Sequence, residues 1–360
     1  MSILFLIPIL QHWILSACLI RHSSTPPPLE AWIEPDFVGL LDSILFAPLV
    51  SNMLYLMFIM FFLGLKTNHL VNFRRQPYLI GIGGDSGSGK HTLATLMIQL
   101  LGRKNTLQIN GDADHKWERG HEQWQAYTHL NPKANQLYLQ FDHTHRLKRG
   151  RSIQRVEYDH DSGKFTLPKK LEPGNCVLFV GLHPYYIPQM RELFDLKIFM
   201  APDESLRLKW KIERDMAKRG YSEQEIMKQI QKRMEDSQKY IAPQEQFADL
   251  IICYRTNADG KLEAEYRFSI GWNVEGLLEY LESVGHHEFQ ISHSFENKSE
   301  KQILVVSGTM SAGVFRQCIE VHAKFLEDYL DQEYELADHI NGFTQVLILW
   351  IFSQMRTEWQ

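Results

Sequence analysis

Apolar residues along the chain fall into three kinds of run, each with its own meaning. Ser43 to Leu65 contains no charged residue. At 1.5 Å per residue, a helix of that length crosses a hydrocarbon core about 30 Å thick. Ser2 to Ile20 is a second apolar run, interrupted by Pro8, Gln11 and His12. The two runs predict membrane-anchoring helices at about 2–20 and 43–65, within an anchor region 1–76. Lys66, Arg74 and Arg75 follow the second run, and Glu30, Glu34 and Asp36 precede it. Basic flanks stay on the cytoplasmic side, so the rest of the chain is expected in the cytoplasm, tethered to an inner or plasma membrane.

From residue 77 the pattern changes to short apolar runs alternating with amphipathic stretches. Strands are predicted at 78–83, 106–110, 176–180, 196–200 and 250–254. Helices are predicted at about 90–101, 134–149, 203–218 and 222–238, the last opened by the capping box Ser222-x-x-Glu225. That alternation implies an α/β fold, a doubly wound parallel sheet spanning 77–260. Residues 261–360 read as a separate small α+β appendage. It contains strands over Leu262–Ile270 and Gln302–Ser307, a helical period over Val314–Leu330, and an apolar helix over Gly342–Met355. This last stretch is too short and interrupted for a span and is expected to be a core or dimer-interface helix.

Composition narrows the classes. At 44% hydrophobic and 22% charged, with 14 prolines, the chain is neither disordered nor collagen-like. A net charge of −5 lacks the basic stripe that phosphate backbones demand, which sets nucleic-acid binding aside. The 4 cysteines are far apart with no C-x-x-C pair, which excludes a disulfide scaffold and a thiolate zinc site.

The candidate chemistry begins at Gly84-Asp85-Ser86-Gly87-Ser88-Gly89-Lys90, between a strand and a helix. In such a G-x-x-x-x-G-K loop the backbone wraps a phosphate, a helix N-terminus points amides at it, and the lysine adds a positive charge. A bound phosphate group is therefore assigned to residues 84–92, with Lys90 as its cation. His91 stands where a serine or threonine hydroxyl normally meets Mg2+, and Thr92 comes one residue late. The second strand ends in Gly111-Asp112-Ala113-Asp114-His115-Lys116-Trp117-Glu118-Arg119, where open parallel sheets bind ligands. Asp112 can take a hydroxyl proton or hold magnesium there, and His115 and Arg119 can contact a sugar phosphate. Lys211, Arg214 and Lys218 recur at helical spacing and predict a cationic helix face. Asp114 and Glu118 read as loop charges. His121, His129, His143 and His145 read as surface or helix-face histidines, and His183 as a candidate turn residue.

Six co-linear stretches resemble the phosphoribulokinase and uridine kinase family, its phosphoribulokinase branch in particular. They are GDSGSGK at 84–90, GDADHKWER at 111–119, THLNPKAN at 128–135, YDHDSG at 158–163, GLHP at 181–184 and KIERDMAKRG at 211–220. The resemblance covers about residues 77–256. It implies a P-loop NTPase-type fold and a kinase that uses ATP and Mg2+ to phosphorylate a hydroxyl of a sugar phosphate. It casts Asp112 as the catalytic base. It also casts His115, Arg119 and His160 as the lining of the sugar-phosphate site, and Lys211, Arg214 and Arg219 as the grip on the substrate phosphate. The chain departs from the family where its third strand ends in Val180 instead of a glutamate near the magnesium, and again at His91. Ser88 replaces the cysteine through which some phosphoribulokinases are switched, so that control is excluded. Two other functions stay open: an ATP-binding membrane regulator with weakened catalysis, and a uridine or nucleoside kinase.

Overall fold

The computed structural model describes residues 76–159, 161–284, 288–296, 300–322 and 330–354. The apolar runs at 2–20 and 43–65 and their basic flank lie outside the described residues. Among the described residues no helix is long and apolar enough to cross a membrane.

Five parallel strands form the centre: β1 (Tyr78–Gly84), β2 (Thr106–Asn110), β7 (Cys176–Val180), β8 (Leu196–Met200) and β9 (Leu250–Thr256). Between β2 and β7 the chain makes four short strands in two hairpin-like pairs: β3 (Ile153–Arg155) with β6 (Lys169–Leu171), and β4 (Tyr158–Asp159) with β5 (Lys164–Phe165). Three antiparallel strands, β10 (Leu262–Ser269), β11 (Phe289–Glu296) and β12 (Lys301–Gly308), complete one eight-stranded sheet ordered β11-β12-β10-β9-β8-β1-β7-β2. Each predicted parallel strand is present, and the topology switches direction at β1, between β7 and β8.

The helices are α1 (Lys90–Leu101), α2 (Glu122–Ala126), α3 (Leu137–Lys148), α4 (Pro188–Arg191), α5 (Glu204–Arg219), α6 (Glu223–Asp236), α7 (Glu275–Ser283), α8 (Ala312–His322) and α9 (His339–Gln354). The capping box at Ser222 is formed: its hydroxyl accepts from the Glu225 amide and Glu225 reaches back.

Alternation along the strands divides the interior into two cores, because successive side chains point to opposite faces. Ile80, Ile82, Leu178, Val180, Ile198 and Ile252 face one side, packing with α1, α7, α8 and α9. Leu79, Val177, Phe179, Phe199 and Ile251 face the other, packing with Leu147 of α3 and Met190 of α4. Gly81 lies on this second face because a Cβ there would come within 2.8 Å of the Tyr185 ring. That ring is fixed by its hydroxyl, which donates to the carbonyls of Gly81 at 2.7 Å and Ile198 at 2.9 Å.

The C-terminal region differs from the detached appendage expected. Strand β10 pairs antiparallel with β9 from Leu262–Thr256 to Phe268–Leu250, so the sheet continues without a break. Helix α9, from Ile340 to Phe352, is buried in the first core, where its apolar side chains cover β10 and β12. An antiparallel neighbour satisfies the β9 edge, which a separate domain would leave as a row of unpaired backbone groups.

Candidate active site

The phosphate loop sits at the switch point, where ligands bind outside the carboxyl ends of parallel strands. After β1 the chain turns through Asp85–Gly89 into α1, whose N-cap Gly89 is left-handed at φ 93°. Gly87 is also left-handed at φ 87°, and a Cβ on it would lie 2.9 Å from Lys211 Cβ. The loop thus rests on α5 with no room for a side chain between them. The first helical bond of α1 runs from the Leu93 amide to Gly89 O at 3.0 Å, so the amides of Lys90, His91 and Thr92 precede the helical ladder. Lys90 is 4% exposed and donates to the carbonyls of Gly84 at 2.9 Å and Asp85 at 2.8 Å. Burial lowers its pKa, against the pull of Asp112 and Asp85. The Ser88 hydroxyl is buried inside the loop with no protein hydrogen-bond partner, which fits a loop built around an oxygen-rich ligand.

Strand β2 delivers Asp112. Beyond Asn110 a single 3-10 turn, Gly111–Ala113, carries it; Asn110 Oδ1 accepts from the Asp112 amide at 3.1 Å. Asp112 Oδ1 accepts from the Leu182 amide, just beyond β7, at 2.8 Å. Lys90 and Asp112 both line one cavity of about 740 Å³, together with Ser86, His91, Thr92, His115 and Arg214. Trp210 and Tyr254 also line that cavity and meet edge to face with centroids 5.9 Å apart.

The other predicted residues divide. His115 is buried in a cluster of rings, 4.2 Å from His129, 4.9 Å from Tyr158 and 5.1 Å from Trp124 between centroids. Arg119 is set against the β4–β5 hairpin instead, its amide donating to Gly163 O at 2.8 Å and its Nη1 to Asp161 O at 3.4 Å. His160 lies outside the described residues, as does the side chain of Arg219. Lys211 is 1% exposed beneath the loop, donating to Ser86 Oγ at 3.2 Å and Asp215 Oδ2 at 3.1 Å. Burial, assisted by Arg233, brings it down to about 8. Lys211 therefore props the loop, while Arg214, ion-paired with Asp215 at 2.8 Å, reaches the cavity. Asp85 has its carboxylate tied to the Ser86 amide and the Ser237 hydroxyl, with Arg207 3.6 Å away. It borders a second cavity of about 210 Å³, beside Arg207 and Arg233. Val180 is fully buried, its backbone paired with Ile82 and Asn110, so β7 brings no carboxylate to the site.

Several residues escaped the sequence reading. Arg207, four positions before Lys211, donates to Ser86 O at 2.8 Å; the helical spacing that found 211 and 214 extends to it. Asp114 is not a loop charge: it is 2% exposed and ion-paired with Arg155 at 3.0 Å. Burial pushes its carboxyl up to about 7, with the Arg155 charge opposing. Glu118 accepts from the Phe165 amide at 2.8 Å and pins the hairpin. Of the histidines expected on surfaces or helix faces, His143 lies on α3, on its buried side. His183 is a satisfied turn residue whose Nε2 bonds Leu130 O at 2.8 Å; burial takes it down to about 4.

Magnesium ordinarily binds through one or two carboxylates plus substrate phosphates, keeping several waters. Among the described residues no group of three or more His, Cys, Asp or Glu is placed to hold a metal ion. Asp112 at the cavity wall supplies one carboxylate, so the donor set fits an ion carried in on a nucleotide rather than a resident one.

A sequence profile of the phosphoribulokinase / uridine kinase family matches residues 79–259, half of the chain. Phosphoribulokinase of Synechocystis sp. is 38% identical over 174 residues, covering 48% of this chain and 52% of that protein. The chloroplastic phosphoribulokinase of Spinacia oleracea is 31% identical over 196 residues, covering 50% and 49%. The chain thus spans about half the length of the curated relatives it matches. The solved phosphoribulokinase from Rhodobacter spheroides superposes with a TM-score of 0.52 at 21% identity, covering 72% of this chain and 99% of that one, a likeness of fold. The profile, the relatives and the mostly parallel sheet around the loop agree: the chain belongs to the phosphoribulokinase/uridine kinase family.

Proposed function

We propose that this protein transfers the terminal phosphoryl group of ATP to a hydroxyl of a sugar phosphate. One observation carries the reading: the buried lysine of the phosphate loop and Asp112 line the same cavity. Phosphoryl transfer asks little covalent chemistry of a protein, so positioning and charge neutralisation supply most of the rate. The amides at the start of α1, with Lys90, cradle the phosphates. Asp112, oriented by the Leu182 amide, accepts the proton of the acceptor hydroxyl. Arg214 supplies positive charge from α5 toward the transferring group. Magnesium, when bound with the nucleotide, would be held by Asp112 and would neutralise phosphate charge. Release of ADP in the presence of a panel of sugars, sugar phosphates and nucleosides tests this. The expected result is turnover with a phosphorylated sugar; turnover with nucleosides alone would overturn the sugar-phosphate assignment.

A second reading, an ATP-binding regulator with weakened catalysis, is favoured by Val180 and His91. Loss of a single charge-stabilising contact in an active site commonly costs about 10²–10³ in rate. Replacing His91→Ser with Val180→Glu separates the two readings: a weakened enzyme gains activity, and a competent one changes little. For the N-terminal runs the sequence supports attachment to a membrane with the catalytic part in the cytoplasm. Extraction of the full chain from membranes by detergent but not by alkaline carbonate is the expected result, and release by carbonate would exclude it.

A further inference from the structure

Asp112 sits on a turn of only three residues, and a turn that short needs outside support to aim a side chain. The support comes from residues that never reach the cavity. Arg155 is 1% exposed and Asp114 2%. The Arg155 Nη2 lies 3.0 Å from Asp114 Oδ1 and donates to Asn110 O at 2.6 Å. Its Nε donates to Glu157 Oε1 at 2.9 Å, anchoring the guanidinium to the link between β3 and β4. On the other side, Gln140 of α3 donates to Gly111 O at 2.9 Å, and the Gln136 amide donates to Asp114 O at 2.8 Å. Residues 110, 111 and 114 are therefore each fastened from behind, with Asp112 between them. The planar Arg155 guanidinium is suited to this, since its Nε and Nη2 hold Glu157 Oε1 and Asn110 O at a fixed angle where a lysine would offer one nitrogen.

We infer that the buried Arg155–Asp114 pair is a positioning device for Asp112, holding the turn after β2 so that the carboxylate stays on the Leu182 amide and faces the phosphate loop. Both residues are closed off from solvent and act through the backbone of the turn. The catalytic consequence rests on the proposed kinase reading; the geometric claim does not. A misplacement of about 1 Å in a reacting group can cost roughly a hundredfold in rate. The pair is thus expected to govern turnover without touching substrate.

The test is the double replacement Asp114→Leu with Arg155→Met in the full chain. Exchanging a buried ion pair for apolar residues of similar size is often neutral for stability, whereas breaking one partner is strongly destabilising. Hydrogen exchange resolved to single amides is then compared with the wild type. The expected result is that the Leu182 amide exchanges at least about tenfold faster, while the amides of Val177 and Phe179 in β7 keep their protection. Where acceptor turnover is measured, kcat falls about a hundredfold with the KM for ATP unchanged. Exchange at Leu182 at the wild-type rate would overturn the inference, and so would a uniform acceleration across β7, which marks general loosening. Exchange requires no substrate, so a wild type inactive toward every acceptor would remove the kinase reading and leave this result to stand or fall by itself.

Discussion

The two halves of the sheet use charge in opposite ways. In the parallel half, β2-β7-β1-β8-β9, ionisable side chains are driven inside: Lys90, Lys211, Asp215, Asp114, Arg155, His115 and His183 are all buried. In the antiparallel half the charges form a ladder across β9 and β10. Arg255 reaches Glu263 at 2.6 Å and Glu265 at 2.7 Å, and Arg267 reaches Glu265 at 2.5 Å; both arginines are more than a third exposed, and the Glu265 they share is the buried charge of that half among the described residues. The interior of that half is filled by α9 from Ile340 to Phe352, largely apolar with Thr344 and Gln345 as its buried neutral polar groups. Burying a charge is costly unless it is paired and hydrogen-bonded. A fold retains such groups where they position chemistry, and otherwise leaves its charges at the surface. Most of the buried charge among the described residues thus gathers in the half that carries the phosphate loop.

The sharpest way to break that comparison is at Asp112. Asp112→Asn is expected to lower kcat about 10²–10⁴-fold while ATP still binds, because a general base contributes that much and the phosphates rest on the loop amides and Lys90. Titration calorimetry with ATP beside a turnover assay checks both parts. The supporting half should respond in the reverse sense. Phe343→Ala, in the fully buried middle of α9, should reduce unfolding stability by about 3–5 kcal/mol yet leave kcat of the folded protein within about twofold. A large kcat effect there would erase the division of labour.

Buried charge also has a pH signature. His183 goes from 6.5 to about 4 on burial, so the folded state resists protonation. Its contribution is present above about pH 6.5 and is lost as pH falls through about 4, roughly 3 kcal/mol over the window. Urea titrations of wild type and His183→Gln across that range should diverge in slope, and parallel curves would remove this histidine from the acid response. Gly87→Ala comes next: a φ of 87° and the approach of Lys211 should cost about 1–3 kcal/mol and weaken ATP binding with it. Smallest of all, Arg267→Ala in the exposed ladder should change stability by less than about 1 kcal/mol.

Much of this was legible in the sequence, for reasons that are local. The parallel strands read as apolar runs because both their faces are covered. The phosphate loop read from glycine spacing, which reports backbone geometry directly. The juxtaposition of Lys90 with Asp112 followed from strand ends sharing one edge of a parallel sheet. What stayed hidden depends on long-range pairing. Nothing near Asp114 announces that Arg155, some forty residues on, lies over it; a charged residue in a polar turn looks solvated until the covering strand is known. Lys211 and Arg214 share a helix and a period, yet one is sealed beneath the loop and the other reaches the cavity. Strand β11, with its alternation of His, Ser and Phe, carries too weak a pattern to separate from a loop until β12 pairs with it from Phe289–Gly308 to Glu296–Lys301. The appendage expected after residue 260 became part of the sheet because the edge of β9 needed a partner.

The most direct measurement of the central claim is phosphorus NMR of the full chain with Mg-ATP and a set of pentose and hexose phosphates, run beside Asp112→Asn. The expected result is a new phosphate ester on one acceptor, matched by ADP, in the wild type, and ATP bound but unspent in the variant. Equal spectra from the two proteins, with or without product, would contradict a shared site for the loop and Asp112.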